Sequence, residues 1–347
     1  MYRFNPIYIE DIKRILCDDF NFLKNKSVLI TGAGGLVGSF LTDVIMYLNQ
    51  NSNYNTKIYA TFTNLTSYET RFRSYINEDL LEPIIQDITK SFVFDINVDY
   101  IIHTASNTHP LLYATKPVET IELNIQGTLN LLKFAQKQKN VRTIFLSTLE
   151  VYGEGSNIES FSENDIGYVN FNISRSCYPI SKRLGETLCH SFISEYLQDI
   201  VIARLGYIYG PTVRLNSSKA DVQFLNKALA GENIVLRSKG TQKRSYCYVA
   251  DTVSALLTIL RKGKNGECYN IASPEGNIQL RDFANCLANI ANVQVEYCLP
   301  TELEIKGGSQ VQNSLLNSQK LSDLNWLPKF KLSEGVEHTY KIKQMLE

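Results

Sequence analysis

The chain has 347 residues, 44% of them hydrophobic, enough to bury a large core in one big domain or two smaller ones and too apolar for a disordered protein. Lys plus Arg and Asp plus Glu both number 35, so no charge bias draws it onto nucleic acid or an anionic membrane. Seven scattered cysteines, from Cys17 to Cys298, form no CxxC pair, which argues against a disulfide framework or zinc site; reduced thiols, no metal and a cytoplasmic location are expected.

Residues 1–26 carry Ile9, Ile12, Leu16 and Phe20 at helical spacing, which predicts one amphipathic N-terminal helix against the body. Glu10, Asp11, Lys13 and Arg14 stand where a signal peptide needs an apolar core, so no targeting segment is expected. From Ser27 the chain reads Ser-Val-Leu-Ile-Thr-Gly-Ala-Gly-Gly-Leu-Val-Gly: a buried strand at Val28–Ile30, a glycine turn, and a helix through Phe40, Leu41, Val44 and Ile45. Gly32, Gly35 and Gly38 let the turn take left-handed dihedrals, a pyrophosphate touch backbone, and the helix pack closely on the strand. The helix start at Leu36 and Val37 offers free N–H groups to phosphates. These glycines also make the uncharged stretch a poor membrane span.

Lys57–Phe62 reads as a second strand. Its tip, Thr61-Phe62-Thr63-Asn64, lacks the acid that usually binds the adenosine ribose of NAD, so NADP stays open beside NAD. A third strand is predicted over Pro83–Ile88, where Asp87 and Ile88 either touch adenine or, for Asp87, cap a turn. Tyr100–His103 is a fourth strand, followed by small residues including Ala105 and Ser106 that let a cofactor lie over the strand end. His103 is read as a packed core histidine. A long helix over Pro117–Gln138 contains Asn124, and Thr143–Leu146 is the fifth strand.

The chemistry follows that strand. Ser147-Thr148-Leu149-Glu150 puts two hydroxyls and a carboxylate at a carboxyl end, where open parallel sheets bind ligands. Further on, Tyr178-Pro179-Ile180-Ser181-Lys182 opens a helix, so Tyr178 and Lys182 share a face. An ammonium beside a phenol favours phenolate and makes a base for a hydroxyl proton. Cys177 is read as packing rather than a nucleophile.

With these motifs in this order the chain resembles the extended short-chain dehydrogenases, specifically the NAD-dependent epimerase/dehydratase family that remodels nucleotide sugars. The resemblance runs from Ser27 through Ala203–Pro211, Gln242–Asp251 and Leu324–Pro328. Within the family, Arg175-Ser176-Cys177-Tyr178, Lys182-Arg183 and Gln242-Lys243-Arg244 look most like UDP-glucuronate decarboxylases. Their Thr-Ser-Glu and late arginine are matched by Thr148, Glu150 and Arg244, with Leu149 replacing the serine. Leu149 also replaces the acid that dTDP-glucose 4,6-dehydratases use, and Tyr207 stands where many relatives have asparagine.

The resemblance implies a Rossmann-type doubly wound parallel sheet, α/β in class, with a smaller discontinuous C-terminal domain. The expected division is an N-terminal extension over 1–26, a dinucleotide domain over 27–208 and 244–273, and a nucleotide-sugar domain over 209–243 and 274–347. The cofactor expected is NAD, held by Gly32, Gly35, Leu36, Val37, Gly38, Asp87, Ile88, Ala105, Ser106, Ser147, Tyr178 and Lys182. Tyr178 takes a sugar hydroxyl proton, at C4, while Thr148 and Ser147 hold the oxygen and Lys182 tunes the phenol. Decarboxylation or epimerisation of the keto sugar follows, with Glu150 catalytic or bonding a sugar hydroxyl, and Arg244 in the chemistry or on the diphosphate. Tyr207, Lys219 and Gln223 are candidate substrate contacts, the last two alternatively a solvated loop. An NAD(P)H-dependent keto-sugar reductase and a nucleotide-sensing relative without activity are the competing classes. The family usually dimerises through a four-helix bundle, here from the helices near Pro117 and Pro179. It supplies activated sugars, as for bacterial surface polysaccharide.

Overall fold

The computed structural model describes residues 2–16, 19–155, 158–308 and 311–346, so Cys17 lies outside the described residues. The first half runs α1 (Pro6–Ile15), β1 (Ser27–Thr31), α2 (Leu36–Ser52), β2 (Lys57–Phe62), α3 (Leu65–Phe72), β3 (Leu81–Ile85), β4 (Tyr100–His103), α4 (Pro110–Thr115), α5 (Pro117–Gln136) and β5 (Arg142–Thr148). It continues with α6 (Cys177–Tyr196), β6 (Asp199–Leu205), β7 (Tyr207–Tyr209), α7 (Ala220–Leu229), β8 (Ile234–Leu236), β9 (Lys243–Tyr248), α8 (Val249–Lys262) and β10 (Cys268–Ile271). The remainder is β11 (Asn277–Gln279), α9 (Leu280–Ala291), β12 (Val295–Tyr297), α10 (Glu302–Gly307), β13 (Asn313–Ser314), α11 (Gln319–Ser322) and α12 (Leu332–Leu346).

Seven parallel strands in the order β10-β6-β5-β4-β1-β2-β3 make the main sheet. Alternate side chains point to opposite faces, so a strand covered on both sides must be apolar throughout. In β1, Val28 and Ile30 pack with α2 and α8, while Leu29 packs with Leu131 and Phe134 of α5. Likewise Val201 and Ala203 of β6 join the first cluster, and Ile200 and Ile202 meet Cys189 and Phe192 of α6. Strand order reverses between β1 and β4, and at their carboxyl ends an open sheet binds its ligand.

The smaller part is built round β9, which pairs antiparallel with β11 and parallel with β7 and β13; β8 and β12 form a separate pair. Thus Lys243–Tyr248, read from residue 244 on with the dinucleotide domain, lies in the small sheet, and the chain returns to the main sheet at β10.

Other boundaries also differ. The N-terminal helix stops at Ile15 rather than running to 26. Phe20 and Leu23 are buried beyond it, Leu23 in a short 3-10 turn. The third strand ends at Ile85, because the Asp87 carboxylate accepts from Thr89 N at 2.9 Å and turns the chain. The fifth strand extends to Thr148 and the Tyr178 helix begins at Cys177. Buried Asp11 of α1 accepts from the Tyr248 hydroxyl (2.6 Å) and pairs with His338 Nδ1 of α12 (2.7 Å).

Candidate active site

A cleft of about 1020 Å³ opens above the switch point, between the main sheet and the smaller part. Three of the four glycines between residues 32 and 38 do different work. Gly32 has φ +67°, and a Cβ there would lie 2.7 Å from Ala105 Cα; a Cβ on Gly38 would lie 2.7 Å from Gly32 O. Both are therefore fixed by chain packing. Gly35 instead faces the cleft, and as the N-cap of α2 it makes no side-chain cap, leaving first-turn N–H groups for an anion. Gly35, Leu36, Val37, Gly38 and Ser106 line the cleft. Gly32 and Ala105 support the turn from behind, Ile88 is buried against Gly127, and Asp87 sits on an exposed turn; none of these four lines the cleft. His103 is buried, its Nδ1 2.7 Å from Thr31 Oγ1, and burial pushes its pKa down to about 3, so it stays neutral in the core.

Thr148, Glu150, Tyr178 and Lys182 all reach this cleft. Thr148 ends β5 and its hydroxyl accepts from Glu150 N at 3.3 Å. Tyr178 is buried, lines the cleft together with Thr148, and packs against Tyr113 and Cys177. The expected pairing with Lys182 differs. Lys182, 3% exposed, donates to Leu146 O at 2.6 Å and lies over the Phe145 ring. Burial lowers Lys182 to about 8, whereas burial first and the Glu150 charge second push the Tyr178 phenol up rather than down. The Ser147 hydroxyl, expected to hold the sugar oxygen, donates to Glu186 instead. Glu186 is in turn gripped by Arg204, at 2.7 and 3.0 Å.

Two groups, Tyr113 and Glu186, were missed from sequence, and a third, Arg175, was read only as part of a motif. The Tyr113 ring stacks on Tyr178 with centroids 4.8 Å apart and planes at 16°. Arg175 lies 4.8 Å over the other partner in that stack, Tyr113, and holds Glu150 through two 3.0 Å contacts. Glu186 follows Lys182 by four residues and Tyr178 by eight, so helical spacing on α6 was a usable signal; nothing local points to Tyr113. Asn124 joins the two halves of the floor, accepting from Ser106 Oγ (2.7 Å) and donating to Ser181 Oγ (2.9 Å).

At the sugar end, Tyr207, Lys219, Gln223 and Arg244 line the same cleft. Arg244 lies 5.1 Å over the Tyr207 ring and donates to Val311 O at 2.9 Å. Cys177 packs with Tyr113 and Tyr178, and burial raises its thiol pKa, which suits packing rather than nucleophilic attack. The six described cysteines are free, and among the described residues no group of metal-ligating side chains gathers. Nor is any described helix long and apolar enough to cross a membrane.

A switch-point cleft, an uncapped glycine turn and a Thr-Tyr-Lys set on β5 and α6 define a dinucleotide-dependent enzyme of the short-chain dehydrogenase kind. The chain belongs to the NAD dependent epimerase/dehydratase family, whose sequence profile matches residues 28–272. It is 31% identical over 315 residues to UDP-glucuronic acid decarboxylase 6 of Arabidopsis thaliana, covering 91% of this chain and 88% of that one. A UDP-glucose 4-epimerase from Thermotoga maritima, solved with UDP-glucose, superposes with a TM-score of 0.79 at 25% identity over 92% of this chain and all of that one. A UDP-glucuronic acid 4-epimerase from Bacillus cereus shares the fold, with a TM-score of 0.78 at 24% identity over 92% of this chain and all of that one.

Proposed function

We propose that the chain oxidises C4 of a nucleotide-linked sugar and that its substrate is a UDP-linked uronate, which it decarboxylates. The observation that carries this is the cleft floor, where Thr148, the Tyr178 phenol and a buried lysine one helical turn further on, Lys182, line one cavity. Gly35, Leu36 and Val37 would hold the diphosphate of NAD through backbone N–H groups, with Ser106, Tyr178 and Lys182 at its reactive end. NAD bound there supplies the acceptor for the hydride leaving C4.

Tyr178 Oη, as the phenolate, takes the C4 hydroxyl proton and becomes neutral phenol, Thr148 holds the oxygen, and the Lys182 ammonium supplies the positive charge that the phenolate needs before transfer. A C4 ketone makes the C6 carboxylate a β-keto acid. The C5–C6 bond breaks, carbon dioxide leaves, and the electron pair passes through C5 onto the C4 oxygen until C5 is reprotonated; the hydride then returns to C4 and Tyr178 gives its proton back to the oxygen, so that the net change is loss of carbon dioxide alone. Arg244, which lines the cleft beside Tyr207, suits the substrate's anionic groups, and the Arg175–Glu150 pair, in the same lining, would supply a fixed charge for the C5 chemistry. Leu149 is buried and carries no proton, which weighs against a dehydratase.

Product mass spectrometry after incubation with NAD and UDP-glucuronate tests this. Loss of the mass of carbon dioxide supports it. An isomer of unchanged mass would replace it with a 4-epimerase, and an unchanged UDP-glucuronate with NADH or NADPH consumed only when a nucleotide-linked keto sugar is added would replace it with a reductase.

The chain is further read as a homodimer in the cytoplasm. α5 and α6 pack side by side and leave Val118, Ile121 and Leu184 exposed, an apolar face that a second copy would cover as a four-helix bundle. Light scattering that gives a monomer would remove this reading.

A further inference from the structure

A second hollow, of about 580 Å³, also touches the glycine turn, at Gly34. Five cationic side chains line it against one carboxylate, Asp43. We propose that this hollow receives the 2′-phosphate of NADP, so that the chain binds the phosphorylated dinucleotide at least as readily as NAD. The inference rests on reading the main cleft as a dinucleotide site.

The adenosine ribose of a dinucleotide lies at the tip of the second strand, where an acid accepts from the ribose hydroxyls and repels a phosphate. Residues 60–67, Ala-Thr-Phe-Thr-Asn-Leu-Thr-Ser, contain no acid. The polar groups present are already engaged: Thr61 Oγ1 accepts from Gly32 N at 3.2 Å, and Asn64 caps α3 through Ser67 N at 2.9 Å. What faces the hollow beyond them is Thr66 and Ser67 in the first turn of α3, then Arg71 and Arg73. Arg214 stands over the turn itself, its Nε donating to Gly34 O at 3.2 Å.

Asp43 does not cancel this charge. It pairs with Arg71 at 2.5 Å, while the buried Arg71 Nε has no hydrogen-bond partner among the described residues. Arg3 is turned to Glu78, and Lys343 donates to Tyr2 Oη and Val213 O. Arg73 and Arg214 are exposed, and each presents a planar fork of donors that matches phosphate oxygens. The position where NAD enzymes repel a 2′-phosphate therefore attracts one.

Calorimetric titration of the full chain with NAD, NADP and adenosine 2′,5′-bisphosphate tests the inference. NADP is expected to bind as tightly as NAD or more so, and the bisphosphate more tightly than adenosine 5′-monophosphate. Arg73→Ala with Arg214→Ala should weaken NADP by about tenfold or more and leave NAD within about twofold. Thr63→Asp, which restores an acid at the strand tip, should weaken NADP selectively. NADP binding about a hundredfold weaker than NAD, or an equal loss of both dinucleotides in the double variant, would overturn the phosphate site and leave the catalytic reading standing. If neither dinucleotide binds, the reading of the cleft falls as well.

Discussion

The two ends of the cleft are made in different ways. At the cofactor end, backbone does the work: three of the four glycines within seven residues set a turn, a close approach and a helix start. At the sugar end the walls are side chains from Tyr113, Thr148, Arg175, Tyr178, Tyr207 and Arg244, brought together only when both sheets have formed. The first end is a local property of the chain, and substitution there harms the fold. The second is a property of tertiary structure, and substitution there should harm the reaction while sparing cofactor binding.

That contrast can be broken most directly at Tyr178. Tyr178→Phe removes the proton acceptor, and turnover measured as product formation should fall about 10²–10⁴-fold with NAD affinity retained. A variant that lost both would erase the division. Arg175→Leu comes next: it frees a largely buried Glu150 from its only bidentate partner among the described residues and should lower kcat about tenfold to a hundredfold, with dinucleotide affinity unchanged.

On the other side, Gly38→Ala puts a methyl 2.7 Å from Gly32 O and 2.9 Å from Thr104 Oγ1, and should cost about 1–3 kcal/mol in denaturant unfolding and weaken NAD as well. Asp251→Ala, which removes the acceptor for Lys329 N (2.7 Å) and Phe330 N (3.2 Å), should cost a similar ~1–3 kcal/mol with the cleft intact.

The smallest effect is in pH. Lys182 falls from 10.5 to about 8 on burial, so activity that needs its ammonium should decline as pH rises through about 8. Between about 8 and 10.5 the unfolded chain keeps a proton that the folded chain has lost. Lys182 alone then makes stability rise with pH over that window, opposite to activity. Parallel pH profiles of rate and of unfolding midpoint separate the two, and Lys182→Met should flatten both.

The same contrast explains what could be read without coordinates. Lys57–Phe62 and Tyr100–His103 match their strands end to end, because a strand buried on both faces is a short apolar run between breaks. The glycine turn, the β5 end and the Tyr178–Lys182 pair were legible for the same reason: each is contained in a dozen residues or fewer. The expected lowering of the Tyr178 pKa failed because spacing puts two side chains on a face and does not say where the longer one points. Lys182 finds the Leu146 carbonyl. Ser147 faces Glu186 because Arg204 on a neighbouring strand anchors that carboxylate, a pairing no window of sequence contains. Tyr113 is invisible for a simpler reason: only folding lays α4 over the start of α6.

Asp11 adds a consequence in time. Its carboxylate is buried with partners 237 and 327 residues away, Tyr248 and His338, while Arg14 beside it pairs with Glu334 at 2.6 Å. A helix made among the first residues cannot be sealed until nearly the whole chain has left the ribosome, since its buried carboxylate lacks partners before then. The parallel sheet can assemble first, and closure of the first helix on the last becomes the final step of a long loop. A truncation after residue 331 should therefore expose Lys13 and Arg14 to trypsin, a lesion at one terminus read out at the other.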